Sequence, residues 1–445
     1  ALVFNVAPWK RSYIRNYLSE YKLIFVGLNE DLENYRHLVR FTSVVIIVWG
    51  RSVLAHIRDF SQNFELPIYH IEDGFVRSIG LGANHIAPMS ICFDKSGLYY
   101  DASQPSDLED LLNFYDFNND KDLMLIAKES FSRMLESSIN KYNLPDTNIS
   151  KNIYGPKTSK RVLVIGQVED DQSLIYGCRR LFSNLDLLKI AIAENKDAQV
   201  IYKRHPDVML GKRQELSDIR EISDYIEIIN SNISLKDALN QVDHVYTMTS
   251  LAGFEALMQG IRVTTLGAPF YSGWGLTDDR FPIARRERSL SLLEVFAAAY
   301  ILYPRYRSAD TLGKSSLPQT IDYIIENTSN NLRLTAANGF DYLKFYNLKT
   351  NKRVDNKIIT NLTFESLAVI SDSLGALTVA EDISFSSDMK VTLITTRDNL
   401  ANDERLTSTS RAMDDDKRVD ITSIHKRYSV PLSKMEEETV LLASC

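Results

Sequence analysis

The sequence predicts an α/β protein made of two successive α/β halves and a shorter accessory segment, and three observations predict it. Continuous apolar runs of the buried-strand type, LVFNVA (2–7), KLIFVG (22–27) and SVVIIVWG (43–50), alternate with segments of helical spacing. The same alternation starts again at RVLVIG (161–166). At 445 residues the chain is also too long for a single core.

Taken in order, WKRSYIRNYLSEY (9–21), EDLENYRHLV (30–39) and SVLAHIRDFSQNF (52–64) are the helices between the first strands, and LPIYHIE (66–72) is a fourth strand. This order implies a parallel sheet covered on both faces, with ligands beyond the carboxyl ends of its strands, where Glu72-Asp73-Gly74 falls. Phe75–Gly82 has the glycines of a hinged active-site loop, with a plain surface loop as the alternative. HIAPMSICFDKSGLYYDAS (85–103) predicts an antiparallel hairpin turning at Asp94–Gly97. Helices over 106–115 and 121–142 then close a first domain, 1–150, and the Pro/Asn/Ser/Lys mixture of 143–161 marks its border.

The second domain is expected over 160–325. RVLVIG ends at Gln167–Ser173, a helix covers 183–197, and AQVIYKRHP is a strand ending at His205-Pro206. HVYTM leads into Thr249-Ser250, a hydroxyl pair suited to capping the helix LAGFEALMQ, which Gly260 stops before the strand RVTTLG. A strand, a hydroxyl-capped helix and a parallel strand aim free N–H groups and a positive dipole end at one point, a natural seat for phosphate. Ser291 and Glu294 form a capping box for a helix that stops at Pro304. Two Rossmann-like domains facing a central cleft describe the GT-B architecture of glycosyltransferases, and of several epimerases and phosphorylases. Residues 326–360 are polar and poorly patterned, as in a linker. Over 361–445, FESLAVISDS, LGALTVAEDI and MKVTLITTR open a further β-α-β pattern, expected to be an accessory piece or the start of a module that the chain end truncates.

A net charge of −7 argues against a nucleic-acid partner, which requires a basic face. Cys92, Cys178 and Cys445 are too far apart for a zinc site or a disulfide framework, which points to a reducing, cytoplasmic setting. No run reaches the ~18 apolar residues of a spanning helix, so membrane contact is expected to be peripheral.

Glu72-Asp73, Asp170-Asp171, His205 and Thr249-Ser250 all follow strand ends, so two parallel sheets would bring them to one cleft. That set suits glycosyl transfer from a sugar nucleotide. A cation such as Lys203 or Arg204, with His205 and the helix start at Ser250, neutralises a leaving phosphate without metal. One carboxylate accepts the proton of an incoming hydroxyl and another supports or attacks the anomeric carbon. Asp278-Asp279 or Glu169-Asp170-Asp171 holding Mg²⁺ is the alternative.

IEDGFVRSIGLG, YYDASQPSDLEDLL, QVEDDQSLIYG, YKRHPD, TSLAGFEALMQG and GAPFYSGWGLTDDR, spread in order over about 65–325, resemble the bacterial β-Kdo glycosyltransferases of capsule and O-antigen assembly. The resemblance implies transfer of 3-deoxy-D-manno-oct-2-ulosonic acid (Kdo) from CMP-β-Kdo with retention, on a GT-B fold, with no cofactor and no metal. It implies Glu72 as acid/base. It also implies a nucleophilic Asp171 in a Gln-x-x-x-Asp motif starting at Gln167, with Asp170 as the alternative. His205, Thr249 and Ser250 would hold the CMP phosphate and Glu255 the ribose. Arg77 and Lys203 are expected on the Kdo carboxylate on charge grounds, and Phe270, Tyr271 and Trp274 along the sugar. The implied acceptor is a glycan or lipid-linked glycan, with contact to the inner membrane or to other polysaccharide-assembly enzymes. A sialyltransferase-like enzyme, a UDP-sugar epimerase and a non-catalytic glycan-assembly module are the competing readings.

Overall fold

In a computed structural model of the chain, the described residues are 1–41, 43–79, 87–141, 143, 153–209, 211–229, 233–309, 311, 313–329 and six strands between 343 and 443. The chain divides into two compact units, one comprising Ala1–Ala83 and Ala87–Thr328, the other holding Ser329–Cys445.

The first unit contains both expected halves. Strands β1 (Leu2–Phe4), β2 (Ile24–Phe25), β3 (Ile46–Trp49) and β4 (Ile68–Asp73) are mutually parallel, in the spatial order β4-β3-β1-β2. Their apolar runs are continuous because both faces are covered. Val3, Ile47 and Ile71 pack on one side, and Leu2, Phe4, Ile46 and Val48 on the other. The second sheet is wholly parallel: β6 (Arg161–Ile165), β7 (Gln199–Lys203), β8 (Glu227–Ile229), β9 (His244–Thr247), β10 (Arg262–Thr265) and β11 (Asp278–Asp279). They lie in the order β11-β10-β9-β6-β7-β8. Each parallel register leaves the carboxyl ends at one edge, which is where the sequence places its polar residues.

The predicted hairpin is not formed. SICFD is a strand, β5 (Ser90–Asp94), but its partners are β4 on one side and β12 (Pro304–Arg307) on the other, both antiparallel. Asp94 does not turn a hairpin, because its carboxylate accepts the N–H groups of Ser96, Gly97 and Asp107 and the hydroxyl of Tyr303. The capping box at Ser291 and Glu294 is present, and the helix Leu292–Ala297 widens into a π turn over Ala298–Leu302. Pro304 then does more than stop a helix, since it opens β12 on the first sheet, followed by β13 (Lys314–Ser315). The chain thus returns to its first sheet after completing its second. One buried cluster containing Phe75, Cys92, Leu163, Val245, Phe270 and Tyr300 runs through the unit. Residues 144–152 of the expected domain border at 143–161 lie outside the described residues.

The second unit is a six-stranded sheet, β14 (Leu343–Asn347), β15 (Lys352–Arg353), β16 (Ser366–Ile370), β17 (Lys390–Thr395), β18 (Asp420–Ser423) and β19 (Thr439–Ala443), in the order β15-β14-β19-β16-β17-β18. The strands expected in FESLAVISDS and MKVTLITTR are there and parallel. The expected linker at 326–360 departs from the sequence reading: the helix Leu317–Ser329 enters it, and β14 and β15 stand inside it. Their short runs were hidden by polar neighbours. The helix expected over LGALTVAEDI lies outside the described residues.

Candidate active site

The carboxyl ends of β4, β6, β7 and β9 border a cavity of about 800 Å³ in the first unit. Glu72, Gln167, Asp171, Lys203, His205, Thr249, Ser250, Glu255 and Phe270, all singled out from the sequence, line it. Glu72 is the penultimate residue of β4, where one carboxylate oxygen accepts the Asp73 N–H at 2.9 Å. Burial, reinforced by the charge of Asp73, raises its carboxyl to about 7 against the pull of Lys10 and Lys141. Glu255, on the helix Leu251–Met258, is likewise raised to about 7 by burial. Two carboxyl groups that exchange protons near neutrality therefore face one space.

Asp171 caps the helix Gln172–Gly177, accepting the Ser173 N–H at 2.8 Å, and its carboxylate stands exposed at the cavity wall. His205 follows β7, and its Nδ1 accepts the Asp207 N–H at 3.1 Å. Burial lowers its proton affinity, and in the neutral ring the accepting Nδ1 leaves the proton on Nε2 as a donor. Lys203 is lowered by burial too, and its ammonium donates to the Ile233 carbonyl at 3.1 Å. Ser250 caps the helix Leu251–Met258 through the Ala252 N–H at 3.2 Å. Gln167 is already engaged. Its carbonyl accepts the N–H groups of Met248 (3.2 Å) and Thr249 (2.8 Å), and its amide donates to the Thr249 hydroxyl at 3.0 Å. Its chemistry is that of a clamp on the turn before Ser250.

Four expected residues stand elsewhere. The guanidinium of Arg77 is buried, with its Nε 2.8 Å from Asp73 and a terminal nitrogen 3.0 Å from the Ser78 hydroxyl, so it does not line the cavity. Asp170 is absent from the cavity lining, its carboxylate 63% exposed and 3.4 Å from Arg213. Tyr271 lies in the core and donates its hydroxyl to the Ser250 carbonyl at 2.5 Å, bracing the helix start from below. Trp274 is fully buried, its indole N–H on the Phe270 carbonyl at 2.8 Å. Only Phe270 of the three aromatic residues reaches the cavity, where it packs on Phe75 with ring centroids 4.7 Å apart. Phe75 to Ser78 are buried, with Phe75 lining the cavity, so the start of that glycine-bearing stretch is core rather than surface loop.

The structure adds residues the sequence reading passed over. Arg51, Tyr100 and Lys141 also line the cavity. Arg51 follows the Trp49-Gly50 end of β3, so the strand-end rule could have found it; its Nε sits 2.7 Å from Asp101. Lys141 carries no motif signal; its carbonyl accepts the N–H groups of Arg77 (3.1 Å) and Ser78 (3.3 Å). Neither acidic run proposed for Mg²⁺, Asp278-Asp279 or Glu169-Asp170-Asp171, assembles into a metal-holding group among the described residues. Asp278 and Asp279 form β11 and bond Thr264, Thr265 and Arg280, and among the described residues no three His, Cys, Asp or Glu groups gather for a metal. Nor, among the described residues, is any helix long and apolar enough to cross a membrane.

The chain matches the family described as "Capsule polysaccharide biosynthesis protein" over 44–148 and 127–306. It is 42% identical over 316 residues to the lipopolysaccharide-processing protein LpsZ of Rhizobium meliloti, covering 71% of each chain. It is 37% identical over 310 residues to the capsule polysaccharide modification protein LipA of Neisseria meningitidis serogroup B, covering 69% of this chain but only 41% of that one. Among solved structures it is similar to Thermosulfurimonas dismutans KpsC, as a β-Kdo 2,4 transferase (TM-score 0.63) and as a β-Kdo 2,7 transferase (TM-score 0.57). Each match is at 31% identity over 73% of this chain, covering 97% and 98% of those chains.

Proposed function

Since this chain belongs to the capsule polysaccharide biosynthesis family, we propose that it is a retaining glycosyltransferase of GT-B type that moves Kdo from CMP-β-Kdo to a glycan or lipid-linked glycan. The observation that carries this reading is the joint lining of one cavity by Glu72, by Asp171 and by the phosphate-seating group of His205 and Ser250. The likeness to two β-Kdo transferases supports the choice of sugar.

In the first displacement an Asp171 oxygen bonds to the anomeric carbon while the bond from that carbon to the phosphate oxygen breaks. CMP leaves as a phosphate monoester, held by the His205 Nε2–H, by Lys203 and by the N-terminal end of the helix Leu251–Met258. In the second, the acceptor hydroxyl attacks the same carbon, its proton passes to the Glu72 carboxylate, and the bond to Asp171 breaks. Two inversions give net retention. Glu255 reaches the ribose. The phosphate charge is met by side chains and helix dipole, without a metal ion or cofactor.

With its carboxyl at about 7, Glu72 is mostly a base above that pH and mostly an acid below it. Transfer should therefore fall as the pH drops through 7, and Glu72→Gln should lose both the rate and this limb. Asp171→Asn should abolish Kdo transfer while calorimetry finds CMP binding unchanged. Turnover at the wild-type rate in Asp171→Asn removes that residue from the mechanism, and CMP release from CMP-sialic acid but not from CMP-Kdo reassigns the donor.

A further inference from the structure

A glycosyltransferase holds two sugars, and the donor groups on the second sheet account for one end of the cavity. At the other end the wall continues past Glu72 over Asn5, Trp49, Gly50, Arg51 and Ser52, at the carboxyl ends of β1 and β3. We propose that this corner is the acceptor subsite, with the acceptor's terminal pyranose lying on the indole of Trp49 and its attacking hydroxyl turned toward Glu72, a reading that rests on the function proposed above.

Trp49 stands one residue from the point of proton transfer. Gly50 follows it in the left-handed region, at φ +72°, and a Cβ built there would lie 3.9 Å from Oε2 of Glu72 and 3.9 Å from the Tyr100 hydroxyl. The bare Cα leaves room beside the acid/base for an incoming hydroxyl, and the preceding ring is placed to carry the sugar that bears it.

The half-buried indole is also pinned. Trp49 closes β3, and its carbonyl accepts the Asn5 side-chain amide at 2.9 Å. The Lys10 ammonium lies over the ring, 3.4 Å from its centroid, and 3.9 Å from the Asp73 carboxylate. Lys10 occupies one face of the ring, and the other is the platform. A rigid aromatic ring supplies apolar area at little entropic cost, and the C–H face of a pyranose is the apolar surface that matches it.

The same corner holds an unanswered hydrogen-bond acceptor. Asp73 lines the cavity, and its Oδ2 takes the Arg77 Nε at 2.8 Å. Among the described residues its Oδ1 is the one buried side-chain oxygen or nitrogen without a hydrogen-bond partner. Such orphaned atoms are rare because they are costly. A second hydroxyl of the acceptor sugar, donating to Oδ1 beside Lys10, would satisfy it and fix the rotation of the sugar over Trp49.

The test compares wild type with Trp49→Ala and Trp49→Phe, each first shown to be folded by thermal melting. Calorimetry gives the Kd for CMP. Release of CMP from CMP-Kdo is then followed in water alone, where no acceptor sugar is needed, and with rising concentrations of the octyl glycosides of Kdo, galactose and N-acetylglucosamine. Loss of the platform in Trp49→Ala should raise the KM of the productive glycoside about three- to tenfold, while the CMP Kd and the release into water keep their wild-type values. Trp49→Phe should recover most of the affinity. An unchanged glycoside KM in Trp49→Ala overturns the proposal, as does an equal loss in all three measures, which makes Trp49 structural. A wild type whose CMP release no glycoside raises above the rate in water overturns it as well. Should the wild type neither bind CMP nor release it from CMP-Kdo, the proposed function itself falls, and the acceptor subsite with it. If Trp49→Ala does not fold, Trp49→Leu, which keeps apolar volume without an aromatic face, is measured in its place against the same outcomes.

Discussion

Glu72 shows how a single residue carries a stability cost for the sake of chemistry. Its folded-state carboxyl near 7 lies above the ordinary value of 4.5, so the folded protein holds a proton that the unfolded chain releases. The stability this contributes is fully present below pH 4.5 and is lost as the pH climbs toward 7, at most about 3 kcal/mol by linkage. Glu72→Gln keeps an oxygen for the Asp73 N–H and removes the titration. The variant should therefore melt higher than wild type at pH 8 and match it near pH 4.5, and a gap that does not widen with pH would count against the assigned proton affinity. Residues of this kind were legible beforehand wherever a strand end announced them, as at Glu72, Asp171 and His205. Arg77, Tyr271 and Trp274 carried the right chemistry but faced the wrong way, because charge and aromaticity say nothing of which side of a turn a side chain takes. Lys141 was invisible for the opposite reason: nothing local marks it, and only packing brings it to the cavity.

At the scale of elements, the turn from β9 into the helix Leu251–Met258 is over-determined. Gln167 holds it from above through three bonds to Met248 and Thr249, and Tyr271 holds it from below through the Ser250 carbonyl. A side chain at Gly253 would come within 2.2 Å of the Tyr271 hydroxyl, so glycine is required there by contact rather than by backbone angle. Gln167→Ala leaves buried N–H groups without partners and should cost about 1–3 kcal/mol of stability. It should also weaken CMP binding, because the helix N-terminus loses its fixed orientation. Retained CMP affinity in that variant, measured by calorimetry, would show that the clamp serves stability alone. The helix and its hydroxyl cap were readable from the sequence, since capping is local; the clamp was not, since Gln167 lies 82 residues from Thr249.

Across the whole first unit, the chain ties its early and late parts together with buried charge. Glu109, on the helix Asp107–Phe114, receives Arg285 at 2.6 Å and Arg286 at 3.0 Å, and both the Glu109 and Arg286 side chains are nearly inaccessible. Removing one member of such a pair strands the other, so Glu109→Ala should cost about 3 kcal/mol. Arg285→Ala, at the more exposed arm, should cost below about 1 kcal/mol. Equal losses in chemical denaturation would contradict this division. The alternation of strands and helices made both parallel sheets legible, whereas the return of the chain to its first sheet at β12 was not, because Pro304 signals a helix end and is silent on which sheet comes next.

That return has a consequence for biosynthesis. The outer edge of β5 has no neighbour until residues 304–307 have been made, by which time every strand of the second sheet has already been synthesised. A chain ending just short of Pro304 would thus display an unpaired β edge while the strands of the second sheet are all present, the kind of surface that recruits chaperones or a second copy of itself. Release of a few more residues from the ribosome would cover it.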